Sequence, residues 1–141
     1  MTKVQKAEGL GELKRVLIIG NGGRENSIAW ALSKNQSIEQ IYVCPGNGGT
    51  TNFEKCVCLK PKSKDEETII IECKRLRINL VIIGPEIPLA NGLANKMREA
   101  GLTVFGPCKK GAQLEASKDW AKTLMLENNI PTAKYWSAQS K

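Results

Sequence analysis

The sequence predicts an α/β fold, an open and mostly parallel sheet with helices on both faces. Three observations predict it. Short continuous apolar runs alternate with segments of helical periodicity, as expected for strands buried on both faces and joined by helical crossovers. Four of those runs end on chain breakers: Gly20, Pro45-Gly46, Gly84-Pro85 and Gly106-Pro107. In a parallel sheet such turns collect along the carboxyl edge, where open α/β sheets bind their ligands.

Each element has its own signal. Residues 1–14 are polar, carry Gly9 and Gly11, and read as a flexible leader. "RVLIIG" (15–20) is a buried strand closed by glycine. "RENSIAWALSKN" (24–35) follows as a helix with Ile28, Ala31 and Leu32 on one face. "QIYVCPG" (40–46) is a second strand and "KCVCLK" (55–60) a short third one. "DEETIIIECKRL" (65–76) begins acidic and ends basic, which suits a helix dipole. "INLVIIGPE" (78–86) is another buried strand. "PLANGLANKMREAG" (88–101) places Leu89, Leu93 and Met97 four apart on one helix, with Gly101 as C-cap. "LTVFGP" (102–107) is the last strand. Beyond Pro107, "KKGAQLEASKDWAKTLMLENN" (109–129) reads as one or two helices without an intervening strand. Ser117 is placed to cap the second, with Trp120, Ala121, Leu124 and Met125 packing along it. Ile130-Pro131 breaks the helix, and "TAKYWSAQSK" reads as the approach to a strand of another domain.

The bulk composition narrows the function classes. A net charge of +7 favours anionic partners, whether nucleic acid, a membrane surface or a phosphorylated metabolite. The positive charges are scattered lysines, and two Phe and two Tyr offer little to stack on bases, so nucleic acid is set aside. No apolar run approaches membrane-spanning length and the N-terminus has no signal-type apolar region, so no membrane partner is expected. Five cysteines without a single histidine do not make a zinc pattern. They read as buried, reduced thiols of a cytoplasmic protein, and no metal site is expected.

The glycine turn after the first strand carries the chemistry. Gly20-Asn21-Gly22-Gly23-Arg24-Glu25 fits only the first half of a dinucleotide fingerprint, because Glu25 stands where the third small residue belongs. The second strand ends Val43-Cys44-Pro45, without the acidic residue that holds an adenosine ribose. An NAD-type Rossmann domain is therefore the weaker alternative. No Gly-Lys-Ser/Thr follows, which excludes a P-loop. A smaller phosphorylated ligand survives. Amides at Gly22, Gly23 and Arg24 would face a phosphate, Arg24 would add charge, and Glu25 would accept hydrogen bonds from sugar hydroxyls or an amine. Glu86, with Pro85 before it, lies beyond another strand on the same edge. Asn47 and the amides of Gly48 and Gly49 would line the same crevice. Two carboxylates beside a phosphate cradle suit a phosphosugar carrying diol or amine groups.

At these residues a family comes into view. "VLIIGNGGREN", "IYVCPGNGGT", "LVIIGPEIPLANGL", "GLTVFGPCKKGAQLEASKDWAKTLM" and "NNIPTAKY" resemble, in order and spacing, the phosphoribosylamine–glycine ligase family of purine biosynthesis. The resemblance covers about residues 15–136. It implies an ATP-grasp ligase that joins glycine to 5-phosphoribosylamine, with ATP activating the glycine carboxylate as an acyl phosphate and Mg²⁺ or Mn²⁺ assisting. It implies a Rossmann-like substrate-binding domain over residues 15–107, then linker helices and the start of a truncated ATP-grasp domain over residues 108–141. It carries over Gly22, Gly23, Arg24, Glu25, Asn47, Gly48, Gly49, Pro85 and Glu86 as contacts to phosphoribosylamine, and sets Lys118 at the start of the ATP-grasp part. Two departures stand out. The family usually reads Gly-Arg-Glu-His where this chain has Asn26, which cannot titrate near neutral pH. The lysine- and glycine-rich ATP loop and the acidic metal ligands do not occur before Lys141. The expectation is a chain that contributes to phosphoribosylamine binding, holds no cofactor tightly, and is inactive without an ATP-grasp domain in cis or in trans. In the second case the apolar residues around Trp120 and Trp136 would dock it. A stand-alone phosphosugar-binding module is the alternative.

Overall fold

The computed structural model describes residues 13–61 and 65–138. Five strands form one sheet: β1 (Arg15–Gly20), β2 (Gln40–Pro45), β3 (Cys56–Cys58), β4 (Leu80–Ile83) and β5 (Val104–Phe105). Their order is β3-β2-β1-β4-β5 and every pairing is parallel. The chain runs outward from β1 to β3, then returns to the other side of β1 for β4 and β5. The carboxyl ends of β1 and β4 therefore flank the point where the strand order reverses, the place where such sheets open a crevice.

The continuous apolar runs are explained by burial on both faces. Val16 and Ile18 of β1 pack with Ile41, Val43, Ala29 and Ile38 under helix α1 (Gly23–Ser33). Leu17 and Ile19 point the other way, onto Val81, Ile83, Ile69, Cys73, Leu93 and Met97. That second face is covered by α2 (Glu66–Arg75), α3 (Glu86–Asn91) and α4 (Leu93–Glu99). Asp65 caps α2 by accepting from the Thr68 amide at 2.7 Å, and Lys96 of α4 is ion-paired with Glu66 at its start.

Four expectations are corrected. On α1 the inward residue is Ala29 rather than Ala31, which faces solvent, while Ile28 and Leu32 are half-buried. The buried stripe runs from Ala29 to Glu25, a charged residue that hydrophobic periodicity cannot register. The helix expected over 88–101 is two helices hinged at Gly92, whose φ of +97° ends α3. Leu89, Leu93 and Met97 are nonetheless all buried, because both pieces pack on the same face. Gly101 (φ +85°) follows the end of α4 as expected. Strand β5 is only two residues long, and Phe105 on this edge is 71% exposed. The fourth correction concerns the thiols. Cys44, Cys56 and Cys73 are buried and burial raises their pKa values, that of Cys73 to about 12, so they remain protonated. Cys58 is half-buried, but Cys108 is exposed and accepts the Gly111 amide at 3.5 Å.

Beyond the sheet the chain forms two helices, α5 (Lys109–Ala116) and α6 (Lys118–Glu127). Ser117 caps α6 through the Trp120 amide at 3.2 Å. Ala121 is buried, while Trp120, Leu124 and Met125 are half-buried. Residues 131–138 form no strand; Lys122 holds them to α6 through Thr132 Oγ1 (2.6 Å) and the Ala133 carbonyl (3.0 Å). Of the leader, residues 1–12 lie outside the described residues. Among the described residues no helix is long and apolar enough to cross a membrane.

Leu17 lies at the centre of the sheet with none of its surface exposed. Leu17→Ala is expected to cost about 3 kcal/mol, as a deleted core side chain leaves a cavity. Ile71→Ala, on the exposed side of α2, is expected to cost under about 0.5 kcal/mol. Urea unfolding of both variants checks the pair.

Candidate functional site: two stitched glycine loops over a buried carboxylate

The site begins where β1 ends. Gly20 adopts φ +135°, Asn21 turns the chain, and Gly22 caps α1 in an extended conformation. A glycine cap has no side chain to offer the first helical amides. Glu25, three residues on, reaches back instead, and its Oε2 accepts the Gly22 amide at 2.8 Å. Its Oε1 accepts Arg24 Nε at 2.9 Å. The side chain lies between the ends of β1 and β4, and only 3% of Glu25 is exposed. A Cβ at Gly20 would fall 2.5 Å from Glu25 Cγ, and one at Gly84 would fall 1.9 Å from Oε1. Two of the strand-end glycines thus make room for a carboxylate of the protein itself.

Burial pushes the Glu25 pKa up, but the hydrogen bonds from Arg24 and from the Gly22 amide, with the Arg24 charge, outweigh it and leave the pKa lowered. The same hydrogen bond holds Arg24 more firmly cationic. The Arg24 side chain is half-exposed, and its Nη2 also stands 4.0 Å from Glu86 Oε2. Arg24 is therefore a cation between one buried and one partly exposed carboxylate. Glu86 opens α3 directly after Pro85, at the end of β4.

The loop after β2 closes over this turn. The Gly46 amide bonds the Gly20 carbonyl at 3.2 Å. Asn47 spends its whole amide on the loops: Nδ2 donates to the carbonyls of Asn21 (3.0 Å) and Gly22 (3.4 Å), and Oδ1 accepts from Gly49 N at 2.8 Å. Its own N–H bonds the fully buried Thr50 hydroxyl at 3.0 Å. Gly23 and Gly48 have open space where a Cβ would stand. Asn26, beneath Gly49, carries a buried Oδ1 without a hydrogen-bond partner.

All nine residues singled out in the sequence come together along this carboxyl edge. Their tasks differ from expectation in two places. The Gly22 amide is already bonded to Glu25, so the donors left at the helix start are the amides of Gly23 and Arg24. The Glu25 carboxylate faces inward, leaving Glu86 as the accessible acid. Lys118 lines a separate recess of about 320 Å³ with Lys122, Tyr135 and Trp136. One feature went unread in the sequence. An apolar recess of about 560 Å³ opens beside the ends of β1 and β2, lined by Ile19, Cys44, Pro45, Lys60, Pro61 and Ile69. The composition of those runs marks them as core, and nothing in it separates a recess wall from a core residue. No cluster of His, Cys, Asp and Glu suited to a metal ion occurs among the described residues.

A parallel α/β domain with glycine-rich loops at a strand-order reversal is the class defined by this fold and edge. The fold is shared with the biotin carboxylase domain of a thermophilic 2-oxoglutarate carboxylase, at a TM-score of 0.63 over 86% of this chain and 29% of that one, with 20% identity. Sequence narrows the class further: residues 14–115 match the family described as phosphoribosylglycinamide synthetase, N domain, and the chain belongs to that family. It is 48% identical over 120 residues to the phosphoribosylamine–glycine ligase of Nostoc sp., covering 85% of this chain and 28% of that protein. It is 44% identical over 127 residues to the human trifunctional purine biosynthetic protein adenosine-3, covering 90% of this chain and 12% of that one. The crystal structure of the Thermotoga maritima phosphoribosylamine–glycine ligase matches at a TM-score of 0.57 and 31% identity, over 85% of this chain and 26% of that one. The chain thus spans under a third of the length of these relatives.

The lowered Glu25 pKa has a signed consequence. An acid whose folded pKa lies below its unfolded value adds stability that is complete above the unfolded value, about 4.3, and lost as pH falls through the folded pKa. Glu25→Gln is expected to unfold at lower urea than wild type at pH 7, with the gap narrowing steadily from pH 5 to pH 2.5. A gap independent of pH would show that the ionised carboxylate is not what stabilises the turn.

Proposed function

We propose that this chain is the N-terminal portion of a phosphoribosylamine–glycine ligase and helps hold 5-phosphoribosylamine for its ATP-dependent joining to glycine in purine biosynthesis. The observation that carries the reading is the pair of glycine loops stitched by Asn47 at the strand-order reversal, in a chain of the N-domain family. The free amides of Gly23 and Arg24 and the Arg24 guanidinium suit the phosphate. Gly48, Gly49, Pro85 and the Glu86 carboxylate suit the sugar and its amine. Glu25 acts from beneath, holding Arg24 and the Gly22 turn in place.

In the complete ligase, ATP with Mg²⁺ or Mn²⁺ supplies activation of the glycine carboxylate. Among the described residues no cluster of His, Cys, Asp and Glu is suited to a metal ion. What this chain contributes is orientation of the attacking amine, a large part of the rate in any two-substrate ligation. The partner is then the ATP-grasp region, in cis or as a separate chain. Trp136, 87% exposed, with Leu126 and Ile130, gives that region an apolar surface to cover. The proposed location is the cytoplasm.

Calorimetric titration with ribose 5-phosphate tests the cradle. Binding is expected to be weak, and Arg24→Ala to weaken it about tenfold, the equivalent of about 1.4 kcal/mol for a lost charge-assisted contact. No glycine- and phosphoribosylamine-dependent ADP release is expected from the 141 residues alone; such release would overturn the division of labour between this chain and an ATP-grasp region.

A further inference from the structure

We propose that Asn26 is a specificity-determining residue of this site, its side-chain oxygen taking a hydrogen bond from a hydroxyl or amine of the sugar part of a sugar phosphate. The inference rests on the phosphosugar reading above. Asn26 follows Glu25 on α1, and its amide is fixed to the Gly22 carbonyl at 3.1 Å. Its side chain lies under Gly49, where an added Cβ would stand 3.1 Å from Nδ2 and 3.6 Å from Oδ1. Oδ1 is shut off from solvent and has no partner. Buried polar atoms are nearly always bonded, because an unmet acceptor keeps its full desolvation cost. Turning the amide over would only set an unmet NH₂ in the same place.

Three backbone donors of the loop over Asn26 are already engaged, and the Gly48 amide has no bond to Oδ1. The Gly49 amide is held by Asn47 Oδ1, the Asn47 amide by Thr50 and the Gly46 amide by Gly20. On this proposal the donor for Oδ1 comes from a ligand, admitted by a shift of Gly48-Gly49, two residues with no side chain in the way. The chemistry of that donor is restricted. An amide oxygen repels the bare oxygens of a phosphate and accepts from hydroxyl and amine groups. Arg24 and Asn26 then divide the ligand between them, the cation reading the phosphate and the orphan acceptor reading the sugar.

A thermodynamic cycle tests this on the whole chain, by calorimetric titration with ribose 5-phosphate and with tetrahydrofurfuryl phosphate, which keeps the phosphate and ring oxygen but lacks the hydroxyls. Wild type is expected to prefer ribose 5-phosphate. Asn26→Leu is expected to weaken ribose 5-phosphate about tenfold, to leave the analogue within about twofold, and to raise the melting temperature of the free protein by a few degrees, about the effect of removing one unmet acceptor. If Asn26→Leu does not fold, Asn26→Ala takes its place in the same affinity comparison. Equal weakening of both ligands, or of neither, overturns the role of Asn26 while leaving the phosphate cradle standing. Failure of wild type to bind either phosphate overturns the phosphosugar reading, and this inference with it.

Discussion

The arrangement of the carboxyl edge depends on one buried carboxylate. Glu25 bonds the Gly22 amide, ties down Arg24, and fills the space between the ends of β1 and β4. A charge with so little exposure is tolerable only when its oxygens are bonded, and here an amide and a guanidinium meet both of them. The rest follows from that placement. Gly20 and Gly84 have to lack a Cβ, α1 has to begin at Gly23, and Arg24 has to lie across the surface toward Glu86. The loop after β2 then closes on a turn that is already rigid.

Such an arrangement fits the proposed role of orienting a substrate rather than supplying acid or base. Glu25 is held ionised by its partners, and Asn26 has no proton to exchange near neutral pH. The groups left facing outward are backbone amides, one guanidinium and one partly exposed acid. Those groups suit the proposed binding role. Membership of the N-domain family, with well over half of each relative lying beyond the matched region, accords with the role proposed above.

The architecture was legible because the central parallel strands, buried on both faces, leave continuous apolar runs such as "RVLIIG" and "INLVIIGPE", while the short, partly exposed edge strands β3 and β5 leave weaker ones. The helices were less legible for identifiable reasons. Asn91-Gly92 is a helix stop, but the spacing of Leu89, Leu93 and Met97 continues across it because both short helices share one core face. Ala29 does not stand out over Ala31 in the sequence because its companion on the buried stripe is an acid. The candidate site was legible as a set of residues and not as a division of labour. Gly20 and Gly84 look like ligand-facing glycines in the sequence, yet their missing side chains accommodate Glu25. A glutamate three residues into a helix that opens on glycine was the available sign, since it is the one residue able to cap that turn. The unpaired Asn26 oxygen left no trace in the sequence at all, because an unmet bond is a property of the neighbours.

The stitch between the two loops has a consequence for how the surface tolerates change. Asn47 reaches across to the carbonyls of Asn21 and Gly22 and never to a side chain. The side-chain part of the coupling is therefore written at one position, beside the backbone bond from Gly46 to Gly20. Residue 21 is free to drift in identity without loosening the edge, provided that its backbone keeps its course, whereas position 47 has no substitute elsewhere in either loop. Two segments that are 25 residues apart along the chain thus share one joining side chain, that of Asn47.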